Sequence, residues 1–427
     1  MNINELVEKI NIGELDETLK KFYGDSKDKI EKQRKRYLNA IKSFRDLYPS
    51  REEVSIFSAP GRTEVCGNHT DHQHGCVLAA AVNLDAIAIV AFHEDGIIRL
   101  QSAGYEQDHI ELDDLKVHQD EKGRTASLIR GTVAQFEELG VHVGGFDAYV
   151  TSDVLSGSGL SSSAAFEVLI GTIIDEHYNN GKAGSVKIAK MGQFTENKYF
   201  GKESGLMDQM VASVGGFVYI DFEDTTDPII KKHECDFSKG NLRLFITDTK
   251  GSHADLTDDY VSVPSEMKFV AAQFGKQVLR EVPEEEFYKK LPQLRSVCTD
   301  RAILRAVHYY KDNKRVAMEV EALDNNDFDT FLNLVRRSGR SSAELLQNLY
   351  STKKPSEQGI PLALMLSERI LGKKGAYRVH GGGFAGTIQA FVPDELAKEY
   401  EEAMISLFGE GCCYNLNIRP VGGVQII

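Results

Sequence analysis

The sequence predicts a protein of the α+β class built from two domains. Three observations predict it. The chain has 427 residues, more than one hydrophobic core ordinarily holds. Strand-like and helix-like patterns alternate along it, an order that suggests mixed sheets backed by helices. A polar, acidic run, EDTTDPIIKKHECDFSKGN, interrupts the chain near residues 225–240 and divides a unit 1–225 from a unit 226–427.

The elements follow in order. Residues 1 to about 50 carry apolar positions at helical spacing in ELVEKI, ETLKKFYG and QRKRYLNAIKSFRDLY, so a helical extension packed on the first domain is expected. VSIFSAPGR, 54–62, reads as a strand that stops at the turn signal Pro60-Gly61. CVLAAAVNLDAIAIVAF, 76–92, is rich in small and β-branched residues and reads as paired, buried strands. IIRLQSAG and DHIELDDL add two amphipathic strands, and TASLIRGTVAQFEELG a helix ended by glycine. GFDAYVTSD, 145–153, is a strand that delivers the chain to a glycine–serine turn and an apolar helix. A helix over 185–200 and the strand FVYIDF complete the first unit. The second unit opens with the strand NLRLFITDT and continues in helices to residue 350. It then reads helix PLALMLSERIL, strand–glycine loop–strand AYRVHGGGFAGTIQAFVP, helix DELAKEYEEAMISLFG and a last strand CCYNLNI.

Lys and Arg number 50 against 64 Asp and Glu, a formal net charge of −14. That balance favours solubility and disfavours nucleic acid as a partner, while a pocket can still be locally positive. The charged N-terminal stretch has neither signal-peptide nor transit-peptide character, and no apolar run is long enough to span a bilayer. The six cysteines, 66, 76, 235, 298, 412 and 413, are scattered and form no disulfide framework. A cytoplasmic protein with reduced thiols is expected.

Four clusters carry chemistry. In SDVLSGSGLSSSAAF the glycines allow close approach of backbone to a ligand, and the serines stand at the mouth of a helix, an anion seat suited to phosphate. No lysine follows the glycines, so this is not the usual nucleotide loop, and a flexible connection is the alternative. In SAPGRTEVCGNHTDHQHG, 58–75, Arg62, His69, Asp71, His72 and His74 crowd a short polar segment. A zinc site with Cys66 would match no standard spacing, and a plain surface loop is a further alternative. A pocket for a polyhydroxylated ligand suits these amide, imidazole and carboxylate groups. In GKESGLMDQM, Asp208 is either a buried structural carboxylate or the group that orients and deprotonates a hydroxyl, and Glu196 is a candidate magnesium ligand. The run His380 to Gly386 is either a tight hairpin or a loop that approaches a ligand or the first domain.

APGRTEVCGNHTDHQHG, LSGSGLSSSAAF, SGLMDQ and VHGGGFAGTIQ resemble, in this order and spacing, the motifs of the GHMP kinase superfamily and, within it, of the galactokinase family. The likeness runs from about residue 54 to the C-terminal region. It implies a two-domain GHMP kinase fold, with an N-terminal domain like ribosomal protein S5 domain 2 and a ferredoxin-like C-terminal domain. It implies phosphorylation of a sugar's anomeric hydroxyl, galactose foremost, by ATP with Mg2+. Asp208 then matches the catalytic base and Arg62 the arginine beside it. Asn68, His69, Asp71, Gly205 and Tyr260 match sugar-pocket positions. Gly157, Ser158, Gly159, Leu160, Ser161, Ser162 and Ser163 match the phosphate loop, with Ser163 and Glu196 on magnesium. The chain departs from the family at Asn68, where a glutamate near the sugar's 6-hydroxyl is usual, and at Glu64, where an asparagine is usual, so acid and amide have changed places. His72, Leu155, His380 and Ala385 depart as well. A kinase for N-acetylgalactosamine or for a non-sugar alcohol, and a non-catalytic sugar and ATP sensor, are the alternatives. A monomer without a membrane or nucleic-acid partner is expected.

Overall fold

The computed structural model describes residues 1–154, 159–235, 237–252 and 255–427. Two sheets organise it. The first contains β1 (Ser55–Cys66), β2 (Cys76–Phe92), β3 (Ile97–Ser102), β4 (Gln107–Glu111), β5 (Gly145–Ser152), β6 (Phe217–Asp221) and β7 (Ile229–His233). The second contains β8 (Leu242–Asp248), β9 (Ala376–Val379), β10 (Thr387–Pro393) and β11 (Cys413–Leu416) in the order β11-β8-β10-β9, all antiparallel. The last strand, β12 (Val424–Gln425), returns to the first sheet and pairs with β1 at Phe57 and Ser58.

β2 is the spine of the first sheet. Its first half pairs with β6, its second half with β5, and β1 runs along its other side. The expected pair of strands over 76–92 is therefore one continuous strand. Both of its faces are buried, which explains a run of small and β-branched residues with no polar alternation. Ala86, Ala88 and Val90 join Phe57, Phe146 and the helices Thr125–Glu138 and Ser162–Tyr178 in one core. Ile87 and Ile89 point the other way, into Leu6, Ile10, Phe22, Tyr37, Ile41 and Phe44 of the N-terminal helices. The extension is thus a second layer over the sheet, as its spacing predicts.

β1 does not stop at Pro60-Gly61. It continues to Cys66 with register shifts between Pro60 and Arg62 and between Glu64 and Cys66. β12 covers β1 only at Phe57 and Ser58, so Pro60 sits where one side of the strand has no partner and a missing N–H costs no ladder bond. The division expected near residue 225 is crossed twice, because β7 extends the first sheet through β6 and β12 closes its far edge. A shared core joins the two sheets: Val65, Cys66, Leu78 and Ala80 pack with Leu244, Ile246, Val316, Phe331 and Phe391. Among the described residues, no helix is long and apolar enough to cross a membrane.

One buried carboxylate ties these layers together. Asp85 of β2 is fully buried. It accepts from Arg36 Nη1 at 2.6 Å, Tyr23 Oη at 2.6 Å and Arg419 Nη1 at 2.8 Å, and from the Ser58 hydroxyl. Burial alone would push its carboxyl up, but Arg36 and Arg419 outweigh that and hold it below the ordinary value. Asp85→Ala leaves the Arg419 guanidinium buried beside no counter-charge and Arg36 with only Asp153, 3.3 Å away. A loss of about 3–5 kcal/mol is expected. Urea unfolding checks it, and a loss within experimental error of zero would show that the network does not hold the extension down.

Candidate active site

The site is built around an ion pair at the mouth of a helix. β1 carries Arg62 just past its bulge, where the Arg62 N–H donates to Leu160 O at 3.1 Å. Gly61 permits this approach, since a Cβ there would lie 2.8 Å from Leu160 O. Asp208 is the second residue of the helix Met207–Val214, where the helix dipole favours a carboxylate. Arg62 Nε and Nη2 reach Asp208 Oδ1 and Oδ2 at 2.7 and 2.6 Å, a bidentate pair, and Nη1 donates to Gly159 O. Ser161, in the left-handed region at φ 58°, turns its hydroxyl onto Asp208 Oδ2. Burial pushes the Asp208 carboxyl up, yet Arg62 and Ser161 outweigh it and keep it below the ordinary carboxylate value. The Asp208 side chain is still 32 % exposed, so a substrate hydroxyl can reach it.

The seat beside this pair is the helix Ser162–Tyr178, preceded by Gly159, Leu160 and Ser161. Its first N–H groups have no intrahelical partner, and Ser161 does not cap them with its side chain. They are free to meet an anion. Gly157 and Ser158, also expected in the loop, lie outside the described residues. Ser163 Oγ donates to Glu196 Oε1 at 3.1 Å. Glu196 begins the wide turn Glu196–Phe200, is 2 % exposed, and also accepts from Lys202 Nζ at 2.7 Å and Gln209 Nε2 at 3.0 Å. Gln209 Nε2 bonds Glu167 Oε2 as well. Burial first, then the charge of Glu196, raises the Glu167 carboxyl well above the usual range. No group of three His, Cys, Asp or Glu side chains fit for a metal occurs among the described residues. A hydroxyl and one carboxylate suit magnesium, which keeps waters and substrate phosphates as its other ligands. The Lys202 ammonium already stands as a cation on Glu196, so the charge of the place fits a cation too.

Third comes the polar segment between β1 and β2. His69, at φ 60°, donates from Nε2 to Gly382 O at 3.0 Å. Burial and the neighbouring His72 hold its imidazole well below the ordinary value, hence neutral. Gly205 lies against Asp71, since a Cβ on it would sit 3.4 Å from Asp71 Oδ2. Tyr260 donates from its hydroxyl to Gly383 O at 3.0 Å and lays its ring on Gly382, where a Cβ would come within 2.7 Å. His69 and Tyr260 therefore meet the glycine run 380–386, and Gly205 meets Asp71 of the loop that carries His69. Asn68 is placed differently. It is 1 % exposed, and its amide donates to Glu64 Oε1 at 2.9 Å and Gly381 O at 2.8 Å. Its Oδ1 accepts from Asn348 at 2.8 Å and Ser342 at 3.4 Å. The exchanged acid and amide bond each other, and Arg378 backs Glu64 at 3.2 Å. Cys66 faces Ser338 in the interior, away from the histidines.

Several residues have roles here that the sequence does not assign. Ser161 reads only as part of the phosphate loop, and its contact with Asp208 depends on a left-handed turn that no pattern signals. Lys202 and Gln209 lie within GKESGLMDQM, but nothing in that stretch assigns either a role. His380 reads in the sequence as the start of the glycine run and as a departure from its motif. It bridges the two domains, with Nε2 3.0 Å from Thr63 Oγ1 and Nδ1 3.0 Å from Thr387 Oγ1, while Gln389 Nε2 donates to Thr63 Oγ1 at 2.6 Å. Burial drives its imidazole down to about 3, so it is a neutral spacer next to Gly159.

Residues 42–92 match the galactokinase galactose-binding signature, and residues 127–216 match the GHMP kinases N terminal domain. The chain is 31 % identical over 363 residues to a galactokinase of Actinobacillus pleuropneumoniae serotype 5b, covering 83 % of this chain and 89 % of that one. It is 30 % identical to a galactokinase of Streptomyces coelicolor, covering 84 % and 91 %. Among solved structures, Lactococcus lactis galactokinase complexed with galactose superposes with a TM-score of 0.76 at 22 % identity, over 91 % of this chain and 99 % of that one. Methanococcus jannaschii mevalonate kinase follows the same fold at a TM-score of 0.60 and 15 % identity, over 86 % and 98 %.

The Arg62–Asp208 pair has a titration signature. In the native protein the depressed Asp208 pKa contributes stability above the unfolded value of about 4, and that contribution is lost as pH falls through the lower native value. Arg62→Gln removes the main opposing charge and leaves burial, so the carboxyl is expected to rise above its ordinary value. Its ionisation would then oppose folding as pH rises. Carbon-13 NMR of the Asp208 carboxyl reads the shift directly, and an unchanged midpoint would show that Arg62 does not set it.

Proposed function

From the premise that the chain belongs to the galactokinase family of the GHMP kinase superfamily, we propose that it transfers the terminal phosphoryl group of ATP to the anomeric hydroxyl of galactose, giving galactose 1-phosphate and ADP. The GHMP kinase fold is that of a small-molecule kinase, and the galactose-binding signature supports a sugar as acceptor. The observation that carries the proposal is the bidentate Arg62–Asp208 pair, joined to the helix mouth through Ser161.

Asp208 orients the acceptor hydroxyl and takes its proton. A carboxylate held below its ordinary pKa is a weak base, which suits a loose transition state in which the alcohol proton leaves late. Arg62 keeps that carboxylate ionised and adds positive charge beside the transferring group. The free N–H groups of Ser162 and Ser163 face the phosphates. Ser163 and Glu196 are the residues that would hold magnesium, whose chemistry there is to neutralise charge on phosphate oxygens. His69, Asp71, Gly205 and Tyr260 shape the sugar pocket. Asn68 acts from behind it, fixing the loop that carries His69.

One observation favours a second reading. The Asn68 amide is fully engaged within the protein, so it has no free position for a sugar hydroxyl. A related hexose such as N-acetylgalactosamine is the alternative acceptor. On the same kinship we propose that the first unit is like ribosomal protein S5 domain 2 and the second ferredoxin-like. A cytoplasmic monomer belongs to the same proposal.

Asp208→Asn removes the proton acceptor and keeps the shape. Turnover is expected to fall by at least about a hundredfold, with an unchanged circular dichroism spectrum. Galactose, glucose, N-acetylgalactosamine and arabinose are to be compared in a coupled ADP assay, with phosphorus NMR placing the product phosphate on the anomeric oxygen. Turnover of the variant near that of the native protein, or phosphate on another oxygen, would overturn the assignment.

A further inference from the structure

Two cations reach the carboxylates of the phosphate cleft, and they are held very differently. Arg62 is 9 % exposed and fixed by three hydrogen bonds, two to Asp208 and one to Gly159 O. Lys202 is 58 % exposed, and among the described residues its ammonium makes one hydrogen bond, to Glu196 Oε1. That same oxygen accepts from Ser163 Oγ. The Lys202 ammonium therefore stands on an atom that would hold magnesium.

We propose that Lys202 is an exchangeable phosphate-binding residue. Its ammonium neutralises Glu196 in the empty protein, yields that carboxylate to the divalent cation that arrives with the nucleotide, and turns onto the nucleotide's phosphate oxygens. The inference rests on the reading of this cleft as an ATP site. Three arguments support it. A carboxylate that is 2 % exposed needs a counter-charge when no metal is bound. Two cations on one carboxylate oxygen repel, so one of them must leave. Lys202 is free to leave, because its flexible stem is exposed and its backbone is anchored independently, the Lys202 N–H donating to Glu196 O at 3.1 Å. The closest anionic destination is whatever occupies the N-terminus of Ser162–Tyr178, one hydroxyl away through Ser163. The resting protein is thus protected against an unpaired carboxylate, and the loaded protein gains a cation at the phosphates.

The test uses binding, not turnover, on the full chain and on Lys202→Met, with Lys202→Arg as the charge-keeping control. Calorimetry with ADP at saturating Mg2+ reads the phosphate contact once the metal has taken Glu196. Lys202→Met is expected to bind at least about tenfold more weakly, and Lys202→Arg to recover most of the loss, as for one charge-assisted hydrogen bond. Electron paramagnetic resonance with Mn2+ alone reads the other half, and here Lys202→Met is expected to bind the metal more tightly than the native protein. Equal ADP affinity in Lys202→Met and native protein overturns the inference, and so does Mn2+ binding that is no tighter in the variant. Native protein that binds no ADP would overturn the ATP reading itself, and this inference with it. ADP bound equally by native protein and variant would sink the Lys202 inference alone.

Discussion

An aspartate that must stay charged while half hidden from water is the constraint around which this molecule is arranged. Asp208 meets it through Arg62, and Arg62 is held in place by a series of local concessions. β1 shifts register between Pro60 and Arg62, where the guanidinium leaves the strand. Gly61 has no side chain, so the Leu160 carbonyl can close on the Arg62 N–H. Ser161 adopts a left-handed conformation that turns its hydroxyl inward. Each of these features would be a defect in an ordinary strand or helix. Together they hold a guanidinium, a carboxylate and a helix mouth in mutual contact.

The second domain contributes shape more than charge to this arrangement. Its glycine run supplies the carbonyls of Gly381, Gly382 and Gly383 to Asn68, His69 and Tyr260. The close seat of Tyr260 on Gly382 excludes a Cβ, which explains glycine there better than flexibility does. His380, kept neutral, spaces β9 and β10 from Thr63 without adding a charge beside Arg62. The domains are also joined covalently and by core packing, since the chain leaves the first sheet, builds the second and returns through β12.

Much of this was legible in the sequence. The glycine–serine turn, the segment around Asp208 and the order of strands and helices are local patterns, and local patterns report local structure. What escaped depends on partners distant in the chain. Pro60 reads as a stop because the sequence cannot show that β12 leaves that part of β1 uncovered. β7 lies in a run that reads as a linker, since an exposed edge strand has little apolar pattern to betray it. The exchange of acid and amide between Glu64 and Asn68 suggests a changed pocket when read along the chain. In space the two bond each other and share Arg378, Asn348 and Gly381, residues roughly 280 to 315 positions away.

Asp85 and Asp208 show why residue type alone does not separate structure from chemistry. Both are buried enough to need arginine, both accept from a serine hydroxyl, and both have carboxyls held below the ordinary value. Asp85 is closed in by two arginines, a tyrosine and Ser58, with no surface left. Asp208 has one arginine and one serine, and the rest of its surface is open. Glu196 is the intermediate case, a carboxylate closed by the protein on one oxygen and by an exposed lysine on the other. A saturated carboxylate can only hold the fold together, because any new ligand must first break a buried bond. A carboxylate with one open side, or one replaceable partner, can take part in chemistry without unfolding its surroundings. That difference is written in the number and mobility of the partners, and it sets Asp208 and Glu196 apart from Asp85.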